Sequence, residues 1–154
     1  MIRRSSPYPV PAGDILVSVL RRGVAAAVDL ALIGLPILLG ALDLVRRTGT
    51  VDAAGARVLA IEAAVMTIAY HTIGVAWTGK TVGKAVMQCR VVRLDNGGRV
   101  TASQALIRAL VVTIALVRPD YAIPALLLVY GWAWFDPRQQ GLHDRAAGTI
   151  VVLD

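Results

Sequence analysis

The chain has 154 residues, 56% of them hydrophobic, with a mean hydropathy of +0.65 and a net charge of +6. That balance excludes an ordinary soluble domain and fits one integral membrane domain. Fourteen Arg and two Lys carry the positive charge, but they are scattered between apolar runs rather than gathered on one face. Scattered basic residues argue against nucleic-acid binding and for span flanks that meet anionic headgroups. The single cysteine, Cys89, leaves no intrachain disulfide to form.

In chain order, residues 1–19 lack the short apolar core and cleavage site of a signal peptide and read as a cytoplasmic tail. Its Pro-rich stretch at residues 5–11 suits either disorder or lying along a partner. The first apolar run predicts a span over residues 22–44, with Pro36 as a kink that a helix bundle tolerates. A second span is expected over residues 58–78, and each exceeds the ~20 residues that a 30 Å hydrocarbon core requires. The polar stretch at residues 79–103 contains a strand, residues 89–94, running into a turn at Asp95-Asn96-Gly97-Gly98. A last apolar region, residues 104–135, is broken at Arg118-Pro119-Asp120 into a short helical hairpin, residues 101–117 and 119–135. Both arms are near the lower limit for spanning. The final residues, TIVVLD from Thr149, predict a strand that pairs with residues 89–94. The expected fold is therefore an all-α membrane protein of about four transmembrane helices, two long and then a short hairpin, with a small cytoplasmic β element. With both termini inside, twelve Lys and Arg fall on the inner segments and four on the outer loops. That asymmetry places both termini in the cytoplasm of a plasma (inner) membrane protein. Trp77, Tyr130, Trp132, Trp134 and Phe135 all fall near the inner interface, where amphipathic rings prefer to lie.

The residues that could carry chemistry are charges inside apolar runs. Asp29 lies within the first span, seven residues after Arg22, and a charge at mid-membrane costs ~2.5–3.5 kcal/mol unless it is answered. Seven residues are about two turns, so Arg22 and Asp29 share a face at ~10 Å separation along the axis. His71 lies seven residues from the inner end of the second span. Antiparallel packing puts His71 and Asp29 at one depth, which suits either a proton relay or a structural pair. Arg108 enters the third span and can snorkel inward or pair with Asp29. Glu62, near the outer end of the second span, is expected to reach the headgroups.

Residues 74–81, GVAWTGKT, match the spacing of a phosphate-binding loop. An apolar helix precedes them instead of a strand, and no apolar strand ending in Asp is placed to hold magnesium, so no nucleotide is expected. Neither histidine has a serine or cysteine elbow or a metal-ligand spacing, so an enzyme, a metal and a cofactor are not expected. His143-Asp144 lies just past the last span, where an Asp can cap a following turn.

Four pieces together resemble one family. Arg22 followed by Asp29, then TGKTVGKAVMQCRVV, ALIRAL and QQGLHDRAAGTIVV stand in the order found in the RDD family, bacterial and archaeal membrane proteins named for one arginine and two aspartates. The resemblance covers residues 20–152, the expected membrane domain. It implies that Arg22 and Asp29 are the first two of the motif residues and Asp144 the third. Met87-Gln88-Cys89 departs from the small or aliphatic residues usual before the strand. A transport setting is what the resemblance implies, with sodium–proton exchange associated with some members.

Two functional expectations follow. In the first, the chain is a transport-associated helper subunit, packed against a membrane-protein partner or a homo-oligomer, with its Arg–Asp cluster of Arg22, Asp29, Arg108, His143 and Asp144 holding the structure. In the alternative, it is an autonomous oligomeric cation/proton antiporter that uses Asp29, with His71 as a relay. Four helices, two of them short, are a small bundle to enclose a solute path alone.

Overall fold

The helix boundaries are set by caps that hydropathy alone does not register. Ser18 accepts a hydrogen bond from the Arg21 amide at 3.4 Å and starts α1 (Val19–Thr48) three residues before the apolar run becomes dense. Asp52 does the same for α2 (Ala53–Thr78) through the Gly55 amide at 2.8 Å. The computed structural model describes residues 15–116 and 119–154, so the Pro-rich stretch at 5–11 and Arg118 lie outside the described residues. Expected at 22–44 and 58–78, the two long helices thus begin earlier, and α1 also ends later. At 1.5 Å per residue they are about 45 and 39 Å long. Pro36 sits inside α1.

After α2 the chain forms a five-residue helix, α3 (Val82–Val86), which no periodicity announces. Strand β1 (Cys89–Arg93) follows and enters the expected turn, closed by Gly97 N–H on the Arg93 carbonyl and Arg93 N–H on the Gly98 carbonyl, both at 3.0 Å. The short hairpin is α4 (Ala102–Leu116) and α5 (Pro119–Gly131), and its second arm ends in a single 3-10 turn, Trp132–Trp134, rather than running helical to 135. The chain closes with a short helix, α6 (Leu142–Ala147), and strand β2 (Thr149–Leu153).

The β-branched runs of β1 and β2 pair antiparallel, as expected, with Val91 opposite Val151 and Val92 opposite Ile150. Alternation sends Val91, Val151 and Cys89 into a core with Val17, Val75, Val100 and Ala105, while Val92, Ile150 and Val152 form a second cluster on the opposite face. The other edge of β2 is covered by residues 15–17, through an antiparallel bridge between Leu16 and Val152 and a 2.8 Å bond from Leu153 N–H to the Ile15 carbonyl. Residues 15–18, which fall within the expected N-terminal tail, are part of the folded base. The sheet, α3, α6 and the N-terminal end of α1 all gather at one end of the helices.

In the most apolar stretches of α1 and α2 only 22% and 17% of the residues are buried. Leu35, Leu38, Leu39, Val58, Ile61 and Val65 all stand exposed. A helix at the core of a soluble domain is covered on most sides; one that displays leucine and isoleucine around its circumference has a hydrocarbon solvent.

Candidate functional site

Among the described residues, five charged side chains are buried at the sheet end of the helices: Arg22 and Asp29 from α1, Lys84 from α3, Arg108 from α4 and Asp144 from α6. They form two separate constellations, one around each carboxylate.

Asp144 is fully buried. Its Oδ1 accepts from Arg108 and its Oδ2 from Arg22, so helices α1 and α4 are both tied to α6. The Gly141 N–H donates to the same Oδ2 at 3.0 Å, which is the cap on α6 that the sequence allows for. Both guanidiniums have second acceptors: Arg22 reaches the Gln139 carbonyl and Arg108 the Thr149 hydroxyl. The buried Gln140 side chain, donating to the Thr149 carbonyl at 2.6 Å, completes the tie to β2. Burial disfavours the charged form of Asp144, but the two guanidiniums outweigh it and hold the carboxyl well below the usual carboxylate range.

Asp29 has a different set of partners. Tyr70 O–H on α2 donates to Oδ1 at 2.6 Å, the Gly83 N–H to the same oxygen at 2.7 Å, and the Thr81 hydroxyl to Oδ2 at 2.6 Å. Lys84 Nζ lies 3.8 Å from Oδ2 and donates to Thr81 Oγ1 at 3.3 Å. The Tyr70 oxygen also accepts the Val82 N–H at 2.9 Å, so it bridges α3 to α1. Arg22, which shares a helix face with Asp29, and Arg108, for which pairing with Asp29 was one alternative, are both committed to Asp144. Two turns of helix separate Arg22 from Asp29, too far for one contact, and the two side chains are drawn to different short helices.

α3 lies against α1 because residue 83 has no side chain. A Cβ there would fall 2.0 Å from the Ala25 carbonyl oxygen and 2.8 Å from Asp29 Oδ1. Gly74 serves a related purpose within α2, where a Cβ would meet the Lys80 carbonyl oxygen at 2.8 Å as the chain folds back. The GVAWTGKT segment is thus the last turn of α2, a left-handed cap at Gly79 (φ +75°) and the entry to α3. Its Thr81, with Gly83 and Lys84 just beyond, surrounds Asp29. Tyr70, Thr81, Gly83 and Lys84 are the site residues that spacing does not single out. The signal was the TGKTVGK segment itself, whose likeness to a phosphate loop masks a set of carboxylate donors.

His71 does not join the donors on Asp29. It faces a cavity of about 10 Å³ between α2, α3, α4, α5 and α6, shared with Lys84, Arg108, Tyr130 and His143. That volume is at the lower limit for one water molecule. Burial, then Arg108, lowers the Lys84 amine to about 8.

His143 packs its ring against Tyr130, with centroids 4.8 Å apart, and its Nε2 lies 3.6 Å from Asp144 Oδ1. Burial is the largest influence and holds the imidazole well below its ordinary 6.5, in spite of the carboxylate beside it. The unfolded chain therefore takes up a proton near pH 6.5 that the folded chain refuses. Above that pH the group has no effect on stability; below it, the folded state is disfavoured by up to ~1.4 kcal/mol per pH unit. His143→Gln is expected to make the acid limb of the melting profile shallower by that slope, read as thermal midpoints in detergent from about pH 7 to about pH 5. Parallel profiles for variant and wild type would show that the ring is protonated in the fold.

A helical chain with two uncovered apolar helices and an anchored base of buried, mutually answered charges is a membrane protein. It belongs to the RDD family, whose family model matches residues 16–148, a stretch that contains Arg22, Asp29, Arg108 and Asp144. Comparison with curated proteins and with solved structures returned no match.

Proposed function

We propose that this chain is a helper subunit of a larger membrane assembly, with four membrane segments, both termini in the cytoplasm and a transport setting. The observation that carries this reading is the closed state of its buried charges. Arg22, Arg108 and Asp144 answer one another, Asp29 is held by three hydrogen bonds and Lys84, and the space left between the clusters admits at most one water. Such an arrangement supports a role in fixing helices in register rather than in passing an ion.

Glu62 supports a partner. Because α2 begins at Ala53, Glu62 lies nine residues, about 13 Å, inside the helix. It is exposed on a surface made by Val58, Ile61 and Val65. A carboxylate there suits a neighbouring membrane helix that brings a cationic or hydrogen-bond donor to the same depth. The rival reading, an oligomeric cation/proton antiporter, draws on Lys84 beside Asp29, an amine lowered to about 8 next to a carboxylate.

Two measurements separate them. Purified wild-type protein in liposomes is expected to show proton and sodium flux at the level of empty vesicles. Flux above that level, abolished by Asp29→Asn, would establish the antiporter. Gentle detergent extraction is expected to retain a membrane-protein partner, and Glu62→Leu to reduce its recovery about tenfold, equivalent to ~1.4 kcal/mol of lost pairing. Recovery of free chain alone, from both wild type and variant, would defeat the helper reading.

A further inference from the structure

On the surface of the folded base, outside the buried cluster around Asp144, the loop between the 3-10 turn and α6 forms a notch. Its volume is about 350 Å³, and Leu94, Asp136, Pro137, Arg138, Gln140 and Arg145 line it. Small-ligand sites begin at about this size.

The loop is fixed by its own hydrogen bonds. The Asp136 carboxylate accepts the Arg138 and Gln140 N–H groups at 3.0 and 3.1 Å, and its carbonyl accepts the Gln139 N–H at 2.8 Å. Gln140 is itself fastened to β2 through the Thr149 carbonyl. Asp136 thus spends its Oδ2 on backbone amides, and its other oxygen forms a long ion pair with Arg145 Nη1 at 3.7 Å, without a hydrogen bond. Two arginines and one aspartate line the notch, so its lining carries a net positive charge.

Its position is equally specific. Trp134 and Phe135, 64% and 85% exposed, stand immediately before Asp136 at the end of the α5 arm. Exposed indole and phenyl rings at the end of an apolar helix mark the headgroup level of a bilayer. Arginine meets phosphate oxygens with paired N–H donors, and guanidiniums beside a membrane interface are where an anionic headgroup is recognised.

We propose that the notch between Arg138 and Arg145 binds a phosphate-bearing anion at the membrane interface. The chemistry is that of a phosphate group held by two guanidiniums, whether the phosphate belongs to a phospholipid headgroup or is free in solution. The binding is separate from the partner role and from Asp29.

The test uses the full chain in detergent, with phosphatidylglycerol or phosphatidylcholine titrated in and lipid adducts counted by native mass spectrometry. Wild type is expected to bind phosphatidylglycerol at a concentration at least about tenfold lower than phosphatidylcholine, as one charge-assisted hydrogen bond implies. In Arg138→Gln/Arg145→Gln the two titrations are expected to coincide, with the thermal midpoint kept, because neither side chain belongs to the buried clusters. Inorganic phosphate in a parallel melting series separates the sources. A rise in the wild-type midpoint that the double variant lacks assigns the notch to free phosphate, and lipid preference without that rise assigns it to a headgroup. The proposal is overturned if wild type shows neither lipid preference nor phosphate stabilisation, or if the double variant keeps whichever of the two the wild type shows. Should the double variant fail to fold, the wild-type comparison of the two lipids and of phosphate decides alone.

Discussion

Asp144→Asn is expected to lower the unfolding free energy by about 3–5 kcal/mol, the cost of leaving buried charges without their counter-ion. Two guanidiniums, Arg22 and Arg108, converge on this one carboxylate. Removing its charge strands both at once, whereas Arg22→Met or Arg108→Met leaves Asp144 with one partner. The expected order of damage is therefore Asp144→Asn first and either arginine variant after it, read from denaturant midpoints in detergent. Replacing the whole set with apolar residues, Arg22→Met, Arg108→Met and Asp144→Leu together, is expected to recover most of the loss. Desolvation of three charged groups offsets much of what their attraction contributes, and the three changes share contacts and do not add. Asp144→Asn with an unchanged midpoint would mean that water reaches the guanidiniums.

Gly83→Ala is the second large effect and needs no change of charge. The added methyl group would meet the Ala25 carbonyl oxygen at 2.0 Å and Asp29 Oδ1 at 2.8 Å, and the first of these is backbone that cannot turn aside. α3 must move away from α1, which carries the Gly83 N–H off Asp29 and disturbs the Thr81 and Tyr70 bonds. Overpacking of a tight contact together with a lost hydrogen bond to a charged group is expected to cost on the order of 3 kcal/mol. Val82→Ala, whose side chain is exposed on the same short helix, serves as the control and is expected to be near neutral. Equal midpoints for Gly83→Ala and Val82→Ala would show that α3 is not held against α1.

Much of the secondary structure is legible in the sequence, and the differences have physical causes. The long apolar runs and the strand pair at residues 89–94 and 149–153 read correctly because hydropathy and β-branching are local properties. Helix ends were missed at Val19 and Ala53 because capping by Ser18 and Asp52 lets arginine and alanine join a helix that apolar density places later. α3 was missed because five residues are too few to show a period. The site divides the same way. Arg22, Arg108, His143 and Asp144 come together in the fold, Asp29 is held by other neighbours, and His71 faces a small cavity that Arg108 and His143 also line. A helix face alone does not tell two charges on it which neighbouring element each will meet.

The amino-acid sequence by itself determined the membrane class, the long helices and the presence of charge where charge is costly, because solvent preference is summed residue by residue along a run. Tertiary structure alone decided which cation answers which carboxylate. Hydrogen bonds act within about 3 Å, and the donors on Asp29 come from positions 41 to 54 residues away. Thr81 and Gly83 reach it because the glycine at 83 lets the short helix α3 lie directly on the long helix α1.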